Sequence, residues 1–240
     1  MKFKLKRQEI DQKLVDFGVK KIKQNRVHVP RATSKTLKGL AESLEEIQKN
    51  GLPKHLVLKK LKKKLGHGIF LHPNAKPILK GEVIAPYSGE VALFPQNGED
   101  NSDYVFSLVS DLLLTKQEQL SWDPGRRYHP RRLYSIDLDA HKKGNFTRFI
   151  NHSAKPNVEA HFLRIPANSL GLSPSPFELL YIAKKTIRPG EQLLLCYEGE
   201  DKSYWGVLNI KPFPMTPKTF RLISPRGQSS FRSTSTMETI

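Results

Sequence analysis

Four short strings hold the residue types from which a reactive site could be assembled. In Gly66-His67-Gly68-Ile69-Phe70, glycines at alternate positions let a ligand approach the backbone closely. In Arg148-Phe149-Ile150-Asn151-His152-Ser153-Ala154-Lys155-Pro156-Asn157, three short polar side chains follow one another on turn-forming backbone. Ile187-Arg188-Pro189-Gly190-Glu191-Gln192-Leu193-Leu194-Leu195-Cys196-Tyr197 is a turn feeding an apolar strand that ends on a phenol. Tyr87-Ser88-Gly89-Glu90 sets a second phenol beside a turn. Taken one at a time, each string has an ordinary account: a turn, a capping histidine, a tyrosine packed at a strand end. Cys196 is the only cysteine, so the chain has no internal disulfide framework and no multi-cysteine zinc site.

The elements that must position these strings are mostly short strands. Residues 83–85, followed by the turn Ser88-Gly89, and residues 104–109 are predicted strands. Residues 179–183 and 192–197 are predicted to form a pair joined through Arg188-Pro189-Gly190. Helix is expected around residues 112–120, ended by Asp123-Pro124-Gly125 and followed by the basic stretch Arg126-Arg127-Tyr128-His129-Pro130-Arg131-Arg132. Two more helices are predicted upstream. One covers residues 8–17, with Ile10, Leu14 and Phe17 on one face and Gly18 as its stop. The other starts at Ser34, aligns Leu37, Leu40, Leu44 and Ile47, and stops at Gly51 and Pro53. The predicted class is mostly β, built of several small sheets behind a basic helical extension. Its expected parts are the extension (1–58), a β domain (59–205) with an insert near 110–133, and a Pro/Ser/Thr-rich tail (206–240) flexible towards its end.

The chain of 240 residues has a formal net charge of +17, and the excess lies at its ends. Residues 1–65 hold 19 Lys+Arg against 6 Asp+Glu, and residues 206–240 hold 5 against 1. Residues 66–205 hold 16 against 16, the balance of an ordinary globular domain. Basic ends suit nonspecific, salt-sensitive contact with nucleic acid, and suit a solvated face equally well. Lys4, Lys6, Lys20, Lys21 and Lys23 are the lysines expected to recruit polyanion-bound substrates. No run approaches the roughly 20 apolar residues of a membrane span, so no membrane partner is expected. No apolar run follows the basic N-terminus, so no secretory signal peptide is expected.

In their order, G-x-G-x-F, Y-x-G-E, R-F-I-N-H-S-x-x-P-N and G-E-x-L-x-x-x-Y resemble the motifs of the SET-domain protein lysine methyltransferases, over about residues 60–205. Within that family the chain is similar to the stand-alone SET proteins of bacteria such as chlamydiae. The resemblance implies a knot-like core of small β-sheets, an exception to the rule that chains do not thread. It implies S-adenosylmethionine on one face, with the target lysine entering a narrow channel from the other. Residue by residue, it puts Gly66 and Gly68, with Phe70, in the first cofactor loop. Asn151 and His152, with Arg148, hold the cofactor on its other side. Tyr197 becomes the catalytic tyrosine and also meets the cofactor. Tyr87 lines the lysine channel and counts as catalytic with it, and Trp205, beside Tyr204, lies against the adenine. Transfer of methyl from sulfonium to amine is an in-line displacement, so the implied tasks are alignment and presentation of a neutral amine. A dry channel favours the neutral amine. A phenol with a pKa of about 10 acts there by position and electrostatics rather than as a base.

The sequence also departs from that pattern. Ala154 stands where many histone-directed members have a cysteine, and no cysteine cluster follows. The resemblance therefore implies no zinc, and a channel closed by packing of the segment from Tyr204. Leu195 stands where an aromatic often limits the number of methyl groups, which leaves product multiplicity open, and Cys196 is read as a small hydrophobe. The implied acceptor is a lysine-containing basic protein, histone or histone-like. The basic end of the insert does not suit a cationic tail, and Glu99, Asp100, Asp103, Glu198, Glu200 and Asp201 would complement one if they converged. Two other readings stand beside this one: a non-catalytic SET-like module that binds chromatin or nucleic acid, and a methyltransferase of a non-chromatin protein such as a ribosomal protein. The expected location is intracellular and soluble, at nucleoid or chromatin, or a host-cell nucleus for a secreted bacterial effector. A homodimer is compatible with all of these.

Overall fold

Among the described residues, short apolar runs broken by glycine and proline build four small sheets rather than one large one. The computed structural model describes residues 13–14, 16–24, 28–61, 66–96, 104–166 and 177–197. Strands β1 (Leu56–Lys60) and β2 (His67–Leu71) form an antiparallel pair, so the boundary between residues 58 and 59 falls inside β1. A three-stranded sheet has the order β3 (Val83–Pro86), β9 (Phe177–Ala183), β8 (Val158–Arg164). A second has the order β4 (Glu90–Pro95), β6 (Leu133–Asp139), β5 (Val105–Leu113). The last is a parallel pair of two-residue strands, β7 (Asn151–His152) and β10 (Leu194–Leu195). The mostly β class is as expected; the predicted strands at 83–85 and 179–183 lie within β3 and β9, and that at 104–109 overlaps β5 from Val105.

Strand β9 explains the layering. Its continuous apolar run is buried on both faces, as a central strand requires. Leu179, Tyr181 and Ala183 join the main core with Ile69, Leu71, Ile84 and Ile150. Leu180 and Ile182 join a second cluster with Leu40 and Leu163, which helix α2 (Ser34–Asn50) covers. The Thr33 hydroxyl caps α2 by accepting from the Thr36 amide. At its far end Gly51 has φ of 71° and donates to the Ile47 carbonyl, a left-handed stop that suits glycine. The predicted apolar stripe holds: Leu40 is fully buried, and Leu37, Leu44 and Ile47 are half-buried against the domain.

Three expectations need correction. Gly18 does not stop the first helix: residues 13–14 and 16–24 are helical (α1), while residues 8–12 lie outside the described residues. The apolar stripe continues through Phe17 to Ile22 and packs on Val109, Leu112, Tyr134 and Ile136, which outweighs glycine's low helix propensity. Residues 112–115 are not helical. Strand β5 runs to Leu113 across a bulge at Asp111 (φ 57°), because burial of Leu112 against the same cluster extends the strand. Helix α3 (Lys116–Trp122) starts only after Thr115, whose capping box with Glu118 sets its N-terminus. Finally, segments 179–183 and 192–197 do not pair. Strand β9 lies between β3 and β8, and β10 pairs with β7. The turn between them carries the chain across the core, because those apolar strands find closer partners elsewhere.

Candidate active site

Three of the four strings meet because residues 190–195 run between β2 and β7. On one side Phe70 bridges Gln192, the Leu71 amide donates to the Glu191 carbonyl (2.9 Å), and the Leu193 amide donates to the Ile69 carbonyl (2.8 Å). On the other side Leu194 registers with Asn151 and Leu195 with His152. Asn157 locks the crossing: its Nδ2 donates to the Gln192 carbonyl and its Oδ1 accepts from the Leu194 amide, each at 2.8 Å. A buried amide with such partners is a positioning group.

The cleft edge beside β2 is shaped by glycine. A Cβ on Gly68 would lie 2.7 Å from Gln192 Nε2 and 3.2 Å from Asn151 Nδ2, so a methyl there must push aside the end of the Gln192 side chain. Gly66 has φ of 62°, the left-handed region that glycine enters without strain. Asn151 Nδ2 donates to the His67 carbonyl at 2.8 Å, tying the polar loop to the glycine turn. Buried His152 accepts at Nδ1 from the Tyr197 amide (3.0 Å), which leaves the proton of a neutral ring on Nε2. The rings of His152 and Tyr197 meet edge to face at 5.4 Å.

Next to this edge is a cavity of about 530 Å³, lined by Tyr87, Tyr104, Phe106, Tyr181, Leu195 and Tyr197 among others. Tyr87 donates to the Tyr104 carbonyl (2.6 Å), and its ring lies 5.5 Å from that of Tyr181. Burial raises the Tyr87 phenol pKa, Asp139 raises it further, and Arg148 lowers it only partly. Burial likewise raises the Tyr181 phenol pKa, with Tyr197 and Tyr87 adding to it. Both phenols are therefore neutral at physiological pH and serve as walls and donors. Tyr197 is 37% exposed, and its hydroxyl donates to the Ile150 carbonyl at 2.6 Å.

The sequence model of the SET domain matches residues 68–198, more than half of the chain. The chain belongs to the SET-domain family. It is 27% identical over 138 residues to an H3 lysine-4 specific histone-lysine N-methyltransferase of Schizosaccharomyces pombe, a match covering 57% of this chain and 12% of that one. A protein of the same description from Cryptococcus neoformans is 27% identical over 133 residues, covering 55% and 7%. The match thus spans about a tenth of the length of these relatives. Among solved structures, ATXR5 in complex with histone H3.1 mono-methylated on R26 is similar in fold, with a TM-score of 0.50 and 16% identity over 73% of this chain and 71% of that one.

Within this SET domain, Gly68 packs beside Asn151, Asn151 bonds to the carbonyl of His67 next to Gly66, and His152 bonds to the Tyr197 amide; Tyr197 and Tyr87 line the adjoining cavity. Arg148 borders that cavity but is occupied with the end of β6: its Nη1 donates to the carbonyls of Ala140 (2.9 Å) and His141 (3.1 Å). Phe70 is buried and packs with Leu61 and Leu194 beneath the glycine strand. Trp205, the tail and the six acids Glu99, Asp100, Asp103, Glu198, Glu200 and Asp201 lie outside the described residues. Sequence reasoning passed over Tyr104, Phe106 and Tyr181 as cavity walls. Their aromatic character in and beside β5 and β9 marks them as packing residues, but not towards what. Among the described residues, no group of three His, Cys, Asp or Glu side chains is arranged to hold a metal ion.

Proposed function

We propose that this SET domain is a protein-lysine N-methyltransferase that uses S-adenosylmethionine and acts on histones or histone-like basic proteins. The observation that carries this is the meeting of the glycine turn, the Asn151-His152 pair and Tyr197 at one end of an aromatic-walled cavity. The bound donor supplies a methyl group activated on sulfonium sulfur. Gly66 and Gly68 leave the backbone open to it, and the bare Cα of Gly68 beside Asn151 is a cradle that any larger residue would fill. Asn151 and His152 offer polar partners across the same cleft, with Arg148 and Trp205 completing the proposed set by resemblance.

The walls of Tyr87, Phe106 and Tyr181 desolvate an entering lysine and so lower the cost of losing its proton. The buried phenols of Tyr87 and Tyr181 hold their own protons and leave that proton to water. Tyr197 donates to Ile150, so its oxygen is kept as an acceptor towards a positively polarised group in the cleft. Alignment and electrostatics are then the chain's contribution, with no covalent intermediate.

Residues 59–205 form the catalytic unit in this reading, with the basic extension 1–58 and the tail 206–240 flanking it. The histone-directed names of the two fungal relatives support a histone acceptor and work at chromatin. Ala154 and the single cysteine support a zinc-free form like that of the stand-alone bacterial SET proteins, including the chlamydial ones. Labelled-methyl transfer to histones, nucleoid proteins and total lysate, with the product mapped by mass spectrometry, tests the proposal. Label on lysine is the expected result. Cofactor binding without transfer to any of the three would favour a non-catalytic module, and label confined to ribosomal proteins would move the substrate.

A further inference from the structure

The basic stretch after α3 has no role in the chemistry above, yet it is held in a defined shape. Gln119 is completely buried and holds the loop at two points: its Nε2 donates to the Arg127 carbonyl (3.1 Å) and its Oε1 accepts from the His129 amide (3.3 Å). Arg132 Nη1 donates to the same Arg127 carbonyl at 3.1 Å. A buried amide bonded to backbone fixes the loop's shape and leaves Arg127 and Arg131 exposed, with Lys116 exposed on the adjoining helix. Two acids of the helix and its C-cap are already engaged: Glu118 with Lys21 at 2.9 Å, and Asp123 with Arg126 at 3.3 Å. The same Lys21–Glu118 pair, with Phe17 and Trp122 ring to ring at 5.3 Å, docks α1 on α3 and adds exposed Lys20 and Lys23 to this module.

The loop is remote from the cavity. It feeds the Leu133 end of β6, whereas cavity-lining residues of β5 pair with the Asp137–Asp139 end. Four to six residue steps along the strand separate the two, roughly 13–20 Å. We propose that the loop of residues 124–132, with Lys116, Lys20 and Lys23, is a preformed docking surface for the phosphate backbone of duplex nucleic acid. Exposed cations clustered on a backbone of fixed shape suit a regular polyanion, and exposed guanidinium groups suit phosphate in particular. The choice of nucleic acid over an acidic protein rests on the proposed reading that the substrates are DNA-bound basic proteins. Phosphate would also offset the repulsion that this charge exerts on a cationic acceptor.

The test is fluorescence anisotropy of a labelled duplex of mixed sequence against the full chain across a salt series, with no methyl donor present. Its outcome is therefore separate from that of methyl transfer. The triple variant K116Q/R127Q/R131Q spares Arg126 and Arg132, which hold neighbouring groups. It should bind about tenfold or more weakly at low salt, with the log–log salt slope reduced by about 0.9 for each phosphate the variant no longer neutralises. K2Q/K4Q/K6Q removes the same charge from the N-terminus and should change binding by less. Equal losses in the two variants, or an unchanged slope in the first, would overturn the proposal. Competition by polyglutamate as effective as by unlabelled duplex would overturn the nucleic-acid assignment.

Discussion

The cleft edge and the insert are held together by different means. At the edge, β2, residues 190–195 and β7 are joined by main-chain hydrogen bonds, and Asn157 and Asn151 add side-chain bonds to backbone. Around the insert, α1 and α3 meet each other and the paired strands β5 and β6 through side chains: an apolar cluster, the Phe17–Trp122 contact and the Lys21–Glu118 pair. Backbone pairing uses groups that every residue but proline carries, so it is indifferent to most substitutions. Side-chain packing can be retuned one residue at a time. The edge therefore suits chemistry shared by a family, and the insert suits recognition particular to one protein.

The largest expected effect lies at the edge. Tyr197→Phe should reduce methyl transfer about a hundredfold or more, by the loss of one group that acts in the transition state. Its affinity for S-adenosylmethionine, read by calorimetry, should change much less. Turnover like that of the unmodified protein would remove Tyr197 from the mechanism. Next is Gly68→Ala, whose new methyl must displace Gln192 or Asn151. About tenfold or more of cofactor affinity should go, while the melting temperature moves little, because the surrounding backbone bonds remain. A fall in stability with cofactor affinity intact would break the distinction between the two regions.

The insert should respond the other way. Burial raises the Glu118 carboxyl pKa, but the Thr115 amide and Lys21 outweigh it and hold the pKa below the ordinary value. A depressed carboxylate pKa contributes stability that is present above the unfolded pKa and lost as pH falls through the folded one. Glu118→Gln should thus cost about 1 kcal/mol at neutral pH, solvent screening of the partly exposed pair included, and less at pH ~3, with cofactor affinity unchanged. Denaturant melts at the two pH values measure it, and an equal cost at both would mean that the ion pair does not stabilise the fold.

The smallest effect belongs to the seam. Glu178 borders an apolar cavity between α1 and the two three-stranded sheets, and burial raises its pKa to about 7. A raised carboxyl pKa gives stability that is full below the unfolded value and is lost as pH rises through about 7. Glu178→Gln should therefore stabilise the protein by about 1 kcal/mol above pH 7 and flatten the decline from pH ~5 to 8. A decline that survives the substitution would point to other groups.

Local chemistry made part of this legible in advance. The glycine spacing, the Asn-His-Ser string and the terminal phenol could be read as strings, because each depends on residue types a few positions apart. Helix α2 was legible to its ends for the same reason: its stripe from Ser34 and its Gly51 stop are local signals. The first helix was legible in face but not in length. Gly18 is a stop by propensity, and only packing on Ile136 and its neighbours carries the helix past it.

What required the tertiary structure was every choice of partner. Lys20, Lys21 and Lys23 are one basic run in sequence, but folding buries Lys21 against Glu118, 97 residues away, and leaves the other two in water. Lys21 is therefore an anchor rather than one of the recruiting lysines. The predicted pairing of 179–183 with 192–197 failed for the same kind of reason. Both segments are apolar enough to pair, and which strand each meets is a competition across the whole core. Alternation and turn residues determine that a segment is a strand and which side chains share a face. They carry no information about a partner 40 or 100 residues distant, because that is set by the summed burial and hydrogen bonding of all the segments at once.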